Sequence, residues 1–180
     1  MDRNKILQFE YAIHKLIEWY NQAVVNPEQT IYNHFTRLTS LKLVFLMSAI
    51  KDPNNNNRDL LDIFNNYCAM QYGPVEVDIY SAIVYKQTQY FNFGNYELSI
   101  IKEADSFEGL TIQEKQQIER SIALLQSCNP QLISLRASQL VNITHKWDAW
   151  LSAMGTAEWY GKGSEKMTIE SIPNSRPFYE

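Results

Sequence analysis

The sequence predicts a mainly α fold, a compact helical domain with a minor β-strand or hairpin element. Three observations predict it. Apolar residues recur at three- and four-residue steps through most of the chain. One short stretch instead alternates apolar and polar side chains. With 180 residues, 45% hydrophobic and 13% aromatic, the chain has enough apolar material to close a packed core.

The first helix is read from Ile6, Phe9, Ile13, Leu16, Ile17 and Tyr20, which fall on one face and end before Asn26-Pro27. A second starts at Thr39 or Ser40, either able to cap free amides, and carries Leu41, Val44, Phe45, Met47 and Ala49 as far as Asp52-Pro53. Asn54 to Asn57 reads as a polar loop. Leu60, Leu61, Phe64, Tyr67 and Cys68 resume apolar spacing, compatible with a helix that frays into extended structure near Ala69, and Tyr72-Gly73-Pro74-Val75 breaks it. Val77 to Val84 is a helix that Asp78 opens by its side chain or its first-turn charge, and Tyr90 to Gly94 stops it. Tyr96, Leu98 and Ile100 alternate with Glu97, Ser99 and Ile101, the period of a short strand without an obvious pairing partner. Thr111-Ile112-Gln113-Glu114 is a capping box that opens a helix to about Gln126 with Ile118, Ile122 and Leu125 inward. Ser134 caps another helix through Leu140 and Ile143, which continues through or breaks near Thr144-His145 and then presents Trp147 and Trp150, with Gly155 as its stop. The tail from Gly161 through Gly163 is loose, and Met167, Ile169 and Ile172 make one last turn before Pro173. No internal repeat is visible.

Sixteen Lys and Arg against 20 Asp and Glu give a net charge of −4, too little positive field to hold a phosphate backbone, so nucleic acid is disfavoured as a partner. The N-terminal segment is interrupted by Gln8, Glu10, His14 and Lys15, and no run approaches the ~20 apolar residues of a membrane span. Cys68 and Cys128, among apolar or neutral neighbours, read as buried thiols of a reducing compartment, which points to the cytoplasm. Neither has a second Cys or His at ligand spacing, so no metal and no cofactor is expected.

The six glycines are scattered, which rules out the glycine-rich loops that cradle phosphate. No Gly-x-Ser-x-Gly elbow and no His-Glu-x-x-His is present. His145 and Asp148, three apart, share a helix face and form an acid–base pair an enzyme could use, though a structural hydrogen bond beside two tryptophans is the stronger reading. Asp59 with Asp62 and Glu103 with Asp105 read as solvated carboxylates. Trp147, Trp150, Trp159 and Tyr160 enrich the last third in amphipathic aromatics. The last two, near glycines, are the better surface candidates.

Leu41-Lys42-Leu43-Val44-Phe45-Leu46, followed by Tyr72-Gly73-Pro74-Val75-Glu76-Val77-Asp78-Ile79-Tyr80, resembles the Panacea (SocA-like) antitoxin domain family. So do Leu110-Thr111 opening a helix and Leu140, Thr144-His145 and Trp147 or Trp150. Ala69-Met70 and Val75-Glu76 depart from the family, where an aromatic and paired valines are common. The resemblance implies a single domain over 1–180, with 1–37 an N-terminal helical elaboration of a 38–180 core. It implies a non-enzymatic antitoxin that neutralises a toxin encoded by the adjacent gene through direct binding; some members act as adaptors that deliver the toxin to a protease. The alternatives are that adaptor role and a small enzyme using His145 and Asp148. The partner-binding residues expected are Tyr72, Gly73, Pro74, Val75, Asp78, Tyr80, His145, Trp159 and Tyr160.

Overall fold

A computed structural model describes residues 2–50, 59–103 and 106–175. The expected loop at Asn54 to Asn57, and Asp52-Pro53, Asp105, Pro177 and Phe178, lie outside the described residues. The fold is mainly α with small antiparallel sheets: eight α-helices and five short strands among the described residues.

The interior is built around two helices. In α1 (Arg3–Ala23) the Asp2 carboxylate caps the start by accepting the Asn4 amide at 2.9 Å. Phe9, Ile13 and Leu16 are fully buried, as their spacing predicts. The opposite face is buried too, which amphipathic spacing alone does not foresee. Each polar residue there is satisfied by another element. Lys5 reaches Glu76 at 2.5 Å and Asp78 at 2.6 Å, and Gln8 donates to Glu114 at 3.0 Å. Tyr11 donates to Glu119. Buried Glu10 accepts the backbone amides of Gln89, Tyr90 and Phe91 at 2.6–3.1 Å. In α3 (Arg37–Ala49) every residue from Thr39 to Ala49 is buried, and the cap is Thr36 rather than Thr39 or Ser40. Between them stands the single turn α2 (Ile31–His34), where His34 stacks on Tyr20.

The apolar run after the loop is not a helix, although the extended structure expected near Ala69 is there. Asp59–Asp62 makes one 3-10 turn, and Tyr67–Met70 is a strand, β1. Leu60, Phe64 and Tyr67 are fully buried all the same, because a turn and a strand can point the same side chains inward. Tyr72 lies in a tight reversal, and Gly73–Glu76 forms β2, antiparallel to β1 with Cys68 opposite Val75 and Met70 opposite Gly73. Helix α4 (Val77–Val84) is capped by Glu76, which accepts the Ile79 amide at 2.8 Å, while Asp78 supplies the first-turn charge. Segment 90–94, expected only to end that helix, contains β3 (Phe91–Phe93). It is the partner of β4 (Leu98–Ile100) in a two-stranded sheet.

The capping box opens α5 (Ile112–Cys128), with the Glu114 carboxylate on the Thr111 amide at 2.7 Å. Ile118 and Leu125 are fully buried and Ile122 nearly so. Ser134 ends in a 3-10 turn, and α6 (Ala137–His145) begins after Arg136. A break at Lys146 separates α7 (Asp148–Trp159). Gly155 does not stop α7: it sits in open space on the helix surface, and the chain leaves at Gly161, whose φ of +65° suits glycine. After the loose segment 161–163 comes an unforeseen strand, β5 (Ser164–Lys166), which pairs with β1 to give the order β2-β1-β5, and then the expected last turn, α8 (Ser171–Asn174). The cysteines are also not as expected. Cys68 is half-buried and Cys128, the last residue of α5, is exposed.

Glu10→Ala strips three amides of one shared acceptor. Urea unfolding should show a loss of about 1–3 kcal/mol, the penalty of leaving buried donors unmatched. An unchanged midpoint would mean that water or another acceptor takes the place of the carboxylate.

Candidate functional site

Helices α3 and α6 close on the β1–β2 hairpin at one point. Lys42 is fully buried, and its Nζ donates at 2.5 Å to the Pro74 carbonyl. Among the described residues no carboxylate pairs with it. Burial therefore lowers its pKa from the ordinary lysine value to about 7. Gly73 lies against the same amine with φ +95°. A Cβ there would stand 2.5 Å from Thr144 Oγ1 and 3.1 Å from Lys42 Nζ, so both the backbone angle and the space demand glycine. Thr144, also fully buried, donates to the Val141 carbonyl at 2.9 Å and so keeps its hydroxyl on this contact.

His145, the next residue, is half-buried and lies flat on Trp150, centroids 3.9 Å apart and planes within 10°. Burial lowers its pKa, the Lys42 amine lowers it further, and a hydrogen bond with the Gln71 backbone opposes both. Trp150 Nε1 donates to the Met70 carbonyl at 3.1 Å, which fixes the start of α7 to the last residue of β1. Trp147 is buried edge-on against Phe45, and Phe45 edge-on against Tyr67. The apolar helix, the Gly-Pro turn and the Thr-His-x-Trp segment thus form one clamp.

The expected binding residues separate into three groups. Gly73, Pro74 and Val75 are buried and shape the turn from within. Asp78 and Tyr80 are half-buried at the opposite end of β2, where Asp78 takes Lys5 and Asn66 and Tyr80 lies under the Arg37 guanidinium. Tyr72, Trp159 and Tyr160 are exposed by 61%, 85% and 68%. These three share one end of the three-stranded sheet: Met70 pairs with Ser164, so residues 71–72 and 160–163 leave the sheet on the same side. Leu151, about half exposed on α7, is a further apolar residue that spacing did not single out.

Asp148 stands exposed in the first turn of α7, while the His145 imidazole stacks on Trp150 and bonds the Gln71 backbone, with its Nε2 buried and unmatched. Among the described residues no group of three or more His, Cys, Asp or Glu is placed to hold a metal, and no helix is long and apolar enough to cross a membrane.

The clamp defines a mainly helical protein whose two helices and hairpin are locked around one buried lysine. That class has a family. The family model for the antitoxin SocA-like, Panacea domain matches residues 41–151, more than half of the chain, and the chain belongs to this family. The match takes in Lys42, the hairpin and Thr144 to Trp150; Trp159, Tyr160 and β5 lie beyond it. No curated protein and no solved structure matches the chain.

Gly73→Ala should destabilise by roughly 2–4 kcal/mol, combining a left-handed backbone with overpacking. A denaturation midpoint within error of the parent would refute the clamp. Lys42 also predicts a pH dependence. Its folded pKa of about 7 lies below the unfolded value near 10.5, so between them the unfolded chain holds the extra proton and stability rises with pH. The slope over pH 7–9 should approach about 1.4 kcal/mol per unit, and Lys42→Met should remove this contribution. Parallel profiles for the two proteins would show that Lys42 does not titrate there.

Proposed function

We propose that this chain is an antitoxin that neutralises a cognate toxin, encoded by the adjacent gene, through direct protein–protein binding and without chemistry of its own. The observation that carries the reading is membership of the SocA-like antitoxin family over a span that includes the whole clamp. The placement of the aromatics supports it. Tyr72, Trp159 and Tyr160 gather at one end of the sheet, and exposed tryptophan and tyrosine are the residue types that dominate binding hot spots. Contact is assigned to these three. Gly73, Pro74, Val75 and His145 hold the turn from beneath, and Asp78 and Tyr80 fix the far end of β2. The cytoplasm is the proposed site of action.

Co-expression of the chain with the adjacent gene's product tests this. The neighbour should arrest growth alone, lose its toxicity beside this chain and co-purify with it. Substituting Trp159 and Tyr160 together by Ala should weaken the complex at least about tenfold while leaving the melting temperature unchanged. A harmless neighbour that does not co-purify would defeat the reading.

A further inference from the structure

β5 is an open edge. Met167 donates its amide inward to the Tyr67 carbonyl at 2.9 Å, and the register sets Ala69 opposite Glu165. Because antiparallel strands alternate bonded and non-bonded positions, the amides and carbonyls of Ser164 and Lys166 point away from β1. The Lys166 amide agrees: its acceptor is the neighbouring Glu165 carboxylate, at 3.3 Å. Ser164 and Lys166 are exposed, and no described strand lies beyond β5. The opposite edge, β2, is buried along its whole length.

We propose that the edge of β5 is where the toxin docks, by laying an extended, acidic segment antiparallel along Ser164–Lys166 beside Trp159 and Tyr160; this rests on the antitoxin reading. The outward backbone groups specify a strand as occupant, because an extended chain returns one donor and one acceptor to each outward residue. The side chains specify a different protein and not a second copy. A two-fold antiparallel pairing must match like hydrogen-bonding positions, which leaves three registers over these residues. Centred on Ser164, only one bonded pair forms, because the Lys162 amide is held on the Ala157 carbonyl at 2.8 Å and cannot extend the ladder. Centred on Glu165, two glutamates meet, and centred on Lys166, two lysines meet. The last two place like charges directly opposite, which destabilises pairing, and the first offers too short a ladder to hold two copies. A foreign strand that brings a carboxylate to Lys166 meets no such conflict. Exposed Trp159 and Tyr160, just before the strand, would cover the alternate side chains of such a segment.

The test uses two variants and the adjacent gene's product as probe. Lys166→Pro deletes an outward amide and leaves the inward ladder untouched. Lys166→Glu keeps the backbone and reverses the charge, and it decides the matter if the proline variant does not fold. Both are expected to bind the neighbour at least tenfold more weakly by calorimetry, with unchanged helicity and melting temperature, and the free chain is expected to sediment as a monomer. Full affinity in the folded variants would overturn the edge proposal and leave the antitoxin reading standing. Failure of the parent chain to bind the neighbour at all would overturn both. A parent dimer that Lys166→Pro dissociates would assign the edge to a second copy and overturn the proposal.

Discussion

The hydrogen bond from Lys42 to the Pro74 carbonyl is the constraint on which this structure turns. An amine without a carboxylate partner is costly to bury, and here it is tolerated because the amine sheds its proton near neutrality and keeps one strong acceptor. That geometry leaves no room for a side chain at residue 73 and requires Thr144 to close the third side. Three segments far apart in the chain are thereby locked at one point, and the hairpin's direction follows from the lock. Trp150 then carries the constraint outward to α7 through Met70.

A second buried lysine holds the other end of the same strand. Lys5, on α1, bridges Glu76 and Asp78, so β2 is gripped by Lys42 at Pro74 and by Lys5 at Glu76. Glu76 in turn caps α4 and takes the Asn66 amide. The strand between the two grips is buried, whereas the opposite edge of its sheet is open and flanked by aromatic side chains. Rigidity on one side and exposure on the other suit the proposed role, since a surface held in shape loses little freedom when a partner arrives.

Much of this was legible in the residues. Helices α1, α4 and α5 follow from apolar spacing and the Thr111–Glu114 box because local hydrogen bonds and one buried face decide them. The exposure of Trp159 and Tyr160 follows from their place beside glycines. What was not legible depends on distant partners. Leu60 to Cys68 has helical spacing, yet Tyr67 to Met70 is drawn into a sheet by β2 and by β5, nearly a hundred residues later in the chain. Lys42 reads as the polar position of an apolar helix, and nothing nearby in sequence announces that its amine meets Pro74. Cys128 is exposed although its neighbours are neutral, because a helix end projects where tertiary packing leaves it. The Gly73-Pro74 turn stood out in sequence, but its burial against Lys42 and Thr144 did not.

Hydrogen exchange on the chain, free and in complex with the adjacent gene's product, tests the central claim most directly. The account predicts new protection confined to the segments around Tyr72 and Trp159 to Lys166, with the amides of α3 and β2 already slow in the free chain and unchanged by binding. Protection appearing instead on α5 or the β3–β4 sheet, or fast exchange through α3 and β2 in the free chain, would contradict a rigid clamp that presents the surface beside it.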